Sequence, residues 1–415
     1  MSKQKLLDWE KVVDGGFGDK HNMCIWSMRK FNDYLYAGTM NFTNGCQIFR
    51  SQNGDKDTWE QVSPNGFGNK NSTGLRDMIV YRNLLWVVTF SSRVGGTQVW
   101  VTNGKDTDKD GFLIWKPANI DGFGEGRKIH ASRSMIVYKN KLYIGTQVRR
   151  GIPRIYRYDG STELDKIEPN SWSWINEYWE KNIQNIPDYS VIGELLNFKT
   201  PDGKEYIYAG VYAEIAAVLA NLKRIVNPRI LIKIINFFTF LRCGIWRYDG
   251  EKWEKISRPG FGKPNILTMS SASLNDSIYF GTTNIFGAEI WKTTDGSNWV
   301  QVMKRGFGYS INLSVYSLHN FENRLIVGMQ NQWLGCQIWA STKENPVSNK
   351  DFIKISRTGL DEKFHINPLE LKQDGIRVFE TFNDQLYAGT ASNINIFKSN
   401  SIGPGCQVWR ISHLE

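Results

Sequence analysis

Six residues of this chain combine side-chain type and spacing in a way that could do chemistry. The recurring strand-like runs can be aligned on their closing hydrophobic residue: Phe31, Tyr81, Tyr138, Phe198, Leu274, Phe321 and Phe382. The position five before it then holds Trp26, Arg76, Arg133, Gly193, Met269, Tyr316 and Arg377. The next position holds Ser27, Asp77, Ser134, Glu194, Ser270, Ser317 and Val378. Three guanidiniums at equivalent places would grip a carboxylate, phosphate or sulfate. Asp77 or Glu194 would serve as general base, with Tyr316 as acid or hydrogen-bond donor. The competing reading is that Arg and carboxylate neutralise one another along a wet channel, because structural ion-pair networks cluster charge in the same way.

Other chemistries find less support. The five His (His21, His130, His319, His365, His413) show no HxH or HExxH spacing, and the Cys show no CxxC, so neither a metal nor a cofactor is expected. Gly122-Phe123-Gly124-Glu125-Gly126-Arg127 looks like a phosphate loop, but it is one copy of a recurring turn and a strand follows it. No P-loop and no GxSxG occurs.

The elements that must position the six residues repeat along the chain. LYAGT at 35–39 returns as LYIGT at 142–146, IYAGV at 207–211, IYFGT at 278–282, LIVGM at 325–329 and LYAGT at 386–390. GCQIF at 45–49 returns as GTQVW at 96–100, GAEIW at 287–291, GCQIW at 335–339 and GCQVW at 405–409. Gly-Phe-Gly begins at Gly16, Gly66, Gly122, Gly260 and Gly306. A fixed-period repeat outranks other signals for fold. Alternating apolar and polar residues bounded by Gly, Asn and Asp predict four strands per unit, in the first unit at 25–31, 34–40, 45–50 and 58–63. Asn53-Gly54, Asp159-Gly160, Asp249-Gly250 and Asp295-Gly296 read as tight-hairpin turns between the third and fourth strands. A degenerate unit is expected around 189–211, where the Gly-Phe-Gly interval doubles.

This repeat resembles that of β-propellers over almost the whole chain. The resemblance implies an all-β, seven-bladed β-propeller forming a single domain, 1–415. The last unit lacks a fourth strand, and 9–12 (WEKV) matches the WEQV of other fourth strands, so the N-terminal strand is expected to close the last blade. Thr293-Thr294-Asp295-Gly296-Ser297-Asn298-Trp299 is similar to a shortened Asp box of sialidase-type propellers, which implies a structural turn there.

One stretch departs from the repeat. At 213–242, between the second and third strands of the fourth unit, the turn pairs vanish and apolar residues dominate. Asn227-Pro228 divides it, which predicts a helical hairpin. Its cations (Lys223, Arg224, Arg229, Lys233, Arg242) against the lone acid Glu214, and its Phe237, Phe238 and Phe240, suit contact with an amphiphile or an anionic membrane surface. A lid over the protein's own face and a protein partner are the alternatives.

The net charge of +10 favours anionic partners, but the basic residues are scattered, which argues against nucleic acid. Cys46, Cys243, Cys336 and Cys406 occupy one repeat position and read as buried small-residue sites, giving a reduced, cytoplasmic, possible membrane-peripheral protein. Two functions follow. The first is binding of an amphiphilic or anionic ligand, membrane surface or partner at a loop-rich face, with the hairpin as lid or anchor. The second is a metal-independent enzyme using Arg, carboxylate and Tyr on an apolar substrate, by hydrolysis, cyclisation or alkyl transfer.

Overall fold

The recurring LYAGT run forms a strand buried along nearly its whole length, as at Tyr34–Met40. Such a strand is covered on both faces, and its glycine shows why. A Cβ on Gly38 would lie 2.2 Å from Leu75 Cδ2, and one on Gly281 would lie 2.5 Å from Val315 Cγ1. The inner strand of the next repeat therefore packs directly onto backbone. We describe the protein from a computed structural model, which covers residues 5–91, 95–149, 151–177, 189–216, 230, 233, 241–360, 372–392 and 403–414. The chain divides into two compact units, named here for their place in the sequence. The flanking unit is Glu10–Glu177 with Arg377–Ser412, and the middle unit is Tyr178–Ile376 with Met1–Trp9 and His413–Glu415.

Each repeat makes an up-and-down meander. In the flanking unit Cys24–Phe31, Tyr34–Met40, Ile48–Ser51 and Glu60–Gln61 pair in sequence, all antiparallel. In the middle unit Asn265–Leu274, Ser277–Asn284, Ile290–Thr293 and Val300–Met303 do the same. The degenerate repeat is present as Val191–Lys199, Glu205–Tyr212, Gly244–Tyr248 and Trp253–Lys255. The strand Glu10–Val13 pairs with Val408–Ile411, setting Glu10 opposite Arg410. The core lies between repeats: Phe31, Tyr36, Cys46 and Ile48 pack with Leu75, Met78, Leu85 and Val87 of the next one. All five cysteines are buried free thiols, and Cys46 has its thiol pushed up to about 12 by burial.

The paired positive φ of tight hairpins lies between the first and second strands, at Arg82-Asn83, Lys139-Asn140, Glu322-Asn323 and Asn383-Asp384. The turns after the third strand work differently. Asp295 Oδ1 accepts the amides of Ser297 and Asn298 at 2.8 Å, and the Thr293 hydroxyl donates to it at 2.9 Å. These bonds hold the Asp295 carboxyl well below its usual range despite some desolvation. The Asp-box-like turn is structural.

The architecture is a propeller-like β fold, but two sequence expectations need correction. Among the described residues twenty-eight strands belong to one large open antiparallel sheet and not to a closed seven-bladed ring. Single bridging pairs such as Met40↔Gly74 and Phe90↔Ala131 carry hydrogen bonding from one meander to the next, so the meanders are not separate sheets. Among the described residues the helical hairpin expected at 213–242 is also not found. No helix among the described residues reaches seven residues, and the helical ones in this stretch are 214–216, Ile230, the exposed Lys233 and Leu241. Lys223, Arg224, Arg229, Phe237, Phe238 and Phe240 lie outside the described residues. Apolar content by itself does not distinguish a helix from other buried backbone, so it is a weak argument for one. Among the described residues no helix is long and apolar enough to cross a membrane.

The Gly-Phe-Gly turns lock the repeats together. In each intact copy both the first Gly and the Phe are left-handed, with φ of 56° at Gly66 and Phe67 and of 54° and 63° at Gly306 and Phe307. The Gly amide donates to the third strand, Gly66 to Cys46 O at 2.7 Å and Gly306 to Ala288 O at 2.9 Å. The turn throws the Phe ring onto the next repeat. Phe17 stacks on Phe49, Phe67 on Trp100, Phe123 on Tyr156, Phe261 on Trp291 and Phe307 on Trp339, with centroids 4.0 to 4.9 Å apart. Each ring also meets a fourth-strand aromatic edge-on or tilted: Trp59, Trp115, Trp172, Trp299 or Phe352.

We therefore predict that Phe307→Ala, at a 5 % exposed site, lowers unfolding free energy by about 3–5 kcal/mol. Gly306→Ala should cost about 1–3 kcal/mol, since its Cβ would sit 2.7 Å from Asn312 O at a left-handed φ. Phe286→Ala, at a 42 % exposed site, should stay within about 0.5 kcal/mol. Urea titration of the three variants checks the ranking.

Candidate functional site

The column of residues singled out by repeat alignment has a single backbone origin. In six of the described repeats the inner and second strands pair with a register shift at the aligned position. Ile25 faces Thr39 and Ser27 faces Gly38, so Trp26 has no opposite residue. The same shift leaves out Arg76, Arg133, Gly193, Met269 and Tyr316. All of these are β-bulge residues. A bulge inserts one residue, bends the strand and re-aims that side chain, which is why bulges recur beside functional sites. The column is a line of deliberately re-aimed positions, and its chemistry is set by which residue the sequence places on each.

In the flanking unit these positions gather cations around an indole. The Arg76 guanidinium carbon lies 3.3 Å from the Trp26 ring centroid and 4.7 Å from that of Phe90. The Arg377 guanidinium approaches the same indole at 5.5 Å. Trp26 lies over Gly74, where a Cβ would be 2.4 Å from its Cζ3, so only glycine lets the ring settle there. Phe90 meets Trp26 edge-on at 6.0 Å and the buried His130 at 5.8 Å, and Phe42, 39 % exposed, extends this aromatic surface at 6.5 Å from Phe90. Arg133 Nε donates to Gln147 Oε1 at 2.8 Å. Stacking of a guanidinium on an aromatic face contributes about 0.5–2 kcal/mol and fixes the plane of the guanidinium.

Asp77 plays a different part from the one its neighbours suggest. Its Oδ1 accepts the Met78 amide at 2.8 Å and its Oδ2 the Met135 amide at 2.7 Å. The carboxylate thus ties inner strand Ser72–Tyr81 to inner strand Ile129–Tyr138. Desolvation pushes its pKa up to about 6, against the Arg29 charge and the two amides, which pull it down. Arg29 donates to Met78 O at 3.0 Å and sits 3.7 Å from Glu380, a carboxyl also raised by burial. Ser27 and Ser317, at the repeat position of Asp77, donate to Leu75 O and Ile376 O in the same bridging role.

Glu194 and Tyr316 belong to the middle unit. Glu194 accepts the Ser271 hydroxyl at 3.0 Å, and Tyr316 lies over Gly375, whose Cβ would meet its ring at 2.5 Å. The structure therefore brings Arg76 and Arg377 together at Trp26, places Arg133 on Gln147, and assigns Asp77 to strand bridging. Repeat alignment placed Trp26 in the column but gave it no role, and it missed Gly74, Phe90 and Arg29. The usable signal was Gly74 in the inner strand that follows the repeat with an aromatic bulge residue, Trp26. Among the described residues no cluster of His, Cys, Asp and Glu is arranged to hold a metal.

No protein-family model matches the chain, and no curated protein matches it. Among solved structures the chain is similar to the polysaccharide lyase Uly1, at 8% identity over 94% of this chain and 90% of that one, with a TM-score of 0.47. It is similar to the endosialidase of phage phi92 at 10% identity, covering 98% and 69% of the two chains, with a TM-score of 0.47. It is similar to a prolyl endopeptidase structure at 10% identity over 89% of this chain and 46% of that one, with a TM-score of 0.49. Likeness at this level bears on neither substrate nor reaction.

The raised Asp77 pKa makes a signed prediction. Folding lifts this carboxyl from its ordinary value to about 6, so the folded state holds a proton that the unfolded state has lost in that window. The contribution is full below the ordinary carboxyl pKa and is lost as pH rises through about 6. Urea unfolding of the wild type should show stability falling across that window. Asp77→Asn should remove its share of the slope, leaving that of Glu380, and should lower stability throughout because its amide turns N–H groups toward a backbone donor. Superimposable pH slopes for the two proteins would refute the assignment.

Proposed function

We propose that this protein binds an anionic small molecule with an apolar or planar body at the bulge line of the flanking unit. The observation that carries the reading is the Arg76 guanidinium stacked at 3.3 Å on Trp26, with Arg377 approaching the same ring. Two guanidiniums on one indole concentrate positive charge there, and guanidinium is the side-chain group whose shape matches carboxylate and sulfate. Trp26, Phe90 and Phe42 supply a continuous apolar surface beside them. The net charge of +10 draws anions toward the protein from a distance.

Acid–base catalysis finds less support at this site. A general base needs a carboxylate lone pair aimed at substrate. Both Asp77 oxygens are directed to backbone amides, and Glu194 belongs to the other unit. The reading is of a binding protein.

Isothermal titration with sulfate and with benzoate tests it. Both anions should bind saturably, benzoate more tightly because its ring adds contact with the aromatic surface. Arg76→Gln should weaken benzoate by about tenfold or more, and Arg76→Lys by nearly as much, since an ammonium neither stacks nor binds in a bidentate way. Absence of saturable binding, or affinity unchanged in Arg76→Gln, would overturn the proposal.

A further inference from the structure

The middle unit contains a groove of about 670 Å³ that the bulge line does not touch. It is built where both ends of the chain lie along the repeat Ser314–Phe321, Arg324–Gln330, Gln337–Ser341 and Phe352–Lys354. The N-terminal stretch runs beside the last of these strands: the Lys5 amide donates to Lys354 O and the Leu7 amide to Ile355 O, each at 3.1 Å. The Trp9 indole N–H donates to Ile355 O at 3.2 Å. The C-terminal stretch is held by one carboxylate. Glu322 Oε1 lies 2.9 Å from His413 Nδ1, and Glu322 Oε2 accepts the Leu414 amide at 3.1 Å.

The lining sorts into two kinds of surface. Ala340, Ile353, Ile355 and Leu414 form an apolar floor. The hydroxyls nearby are already committed, Ser341 donating to Lys343 O at 2.7 Å and Thr342 to Asp351 O at 3.1 Å. The rim carries Lys5 and Arg324, neither of which makes an ion pair or a side-chain hydrogen bond among the described residues. The acid on this rim, Glu322, has both oxygens occupied by the C-terminal stretch. A trough with apolar side chains on its floor and two cations held in no ion pair at its edge, against one carboxylate engaged by the C-terminal stretch, is complementary to a molecule with a hydrocarbon body and an anionic head.

We infer that this groove is a second ligand site, taking an amphiphilic carboxylate whose head meets Arg324 and Lys5 and whose tail lies on Ile353, Ile355 and Leu414. The inference does not depend on the bulge line, since all its residues belong to the middle unit.

Titration of the full-length protein with decanoate tests it, with decanol as the uncharged control. The wild type should bind decanoate saturably and decanol much more weakly, and raised salt should weaken decanoate because the rim is exposed. The double variant Lys5→Gln, Arg324→Gln should lose about tenfold or more of the decanoate affinity while melting at the wild-type temperature. Arg76→Gln serves as the separating control and should leave this site's affinity unchanged. No saturable decanoate binding, or full affinity in the double variant, would overturn the inference. So would a loss of decanoate binding in Arg76→Gln alone, which would assign the ligand to the bulge line instead.

Discussion

The structure depends on a phenylalanine held in a conformation that phenylalanine ordinarily avoids. A left-handed backbone costs a non-glycine residue about 1–2 kcal/mol, and here Phe17, Phe67, Phe123, Phe261 and Phe307 all adopt it. The offset is the stack each ring makes on an aromatic of the following repeat, worth about 0.5–1.5 kcal/mol beyond its buried area, together with that burial itself. The preceding glycine, also left-handed, donates its amide to the third strand at the buried Cys, Thr or Ala. That residue must be small because backbone from two directions converges on it. One turn thus fixes the distance and tilt between consecutive meanders.

With the spacing of repeats fixed, the inner strands lie close enough to bond one another through side chains. Asp77 reaches the Met135 amide, and Ser27, Ser270 and Ser317 reach carbonyls one strand away. These bridges sit immediately after the bulge. The residue that carries the bridge is consequently tied down, while the one before it is left out of the ladder and turned outward. Strand bridging and freedom from the ladder thus fall on two adjacent positions. Asp77 beside Arg76 shows the division: a desolvated carboxylate satisfied by amides, next to a guanidinium laid on an indole.

Much of this was legible as pattern and little of it as geometry. Repeat alignment found the strands, the degenerate unit around 189–211 and the shared burial of four cysteines, because period and apolar content report burial directly. It also placed Arg76, Arg133 and Arg377 at equivalent positions. It could not tell Asp77 the fastener from Asp77 the base, since that depends on which backbone amides lie across the gap. It gave 213–242 a helical hairpin, which is not found among the described residues. It took the dipeptides after the third strand for the tight hairpins, which belong instead to Arg82-Asn83 and its counterparts between the first two strands.

By itself, then, the sequence determined an all-β chain of four-stranded repeats, the glycines that allow close strand packing, and the residue types along the bulge line. These follow from local propensity and periodicity, which act through near neighbours in the chain. Tertiary structure alone decided that the meanders join as one open sheet, and that Arg76 and Arg377 share the Trp26 ring. It alone gave Asp77 its two amides and left Lys5 and Arg324 at the edge of an apolar groove. Each of those outcomes depends on residues tens to hundreds of positions apart meeting at a separation of a few ångströms, which no local pattern encodes.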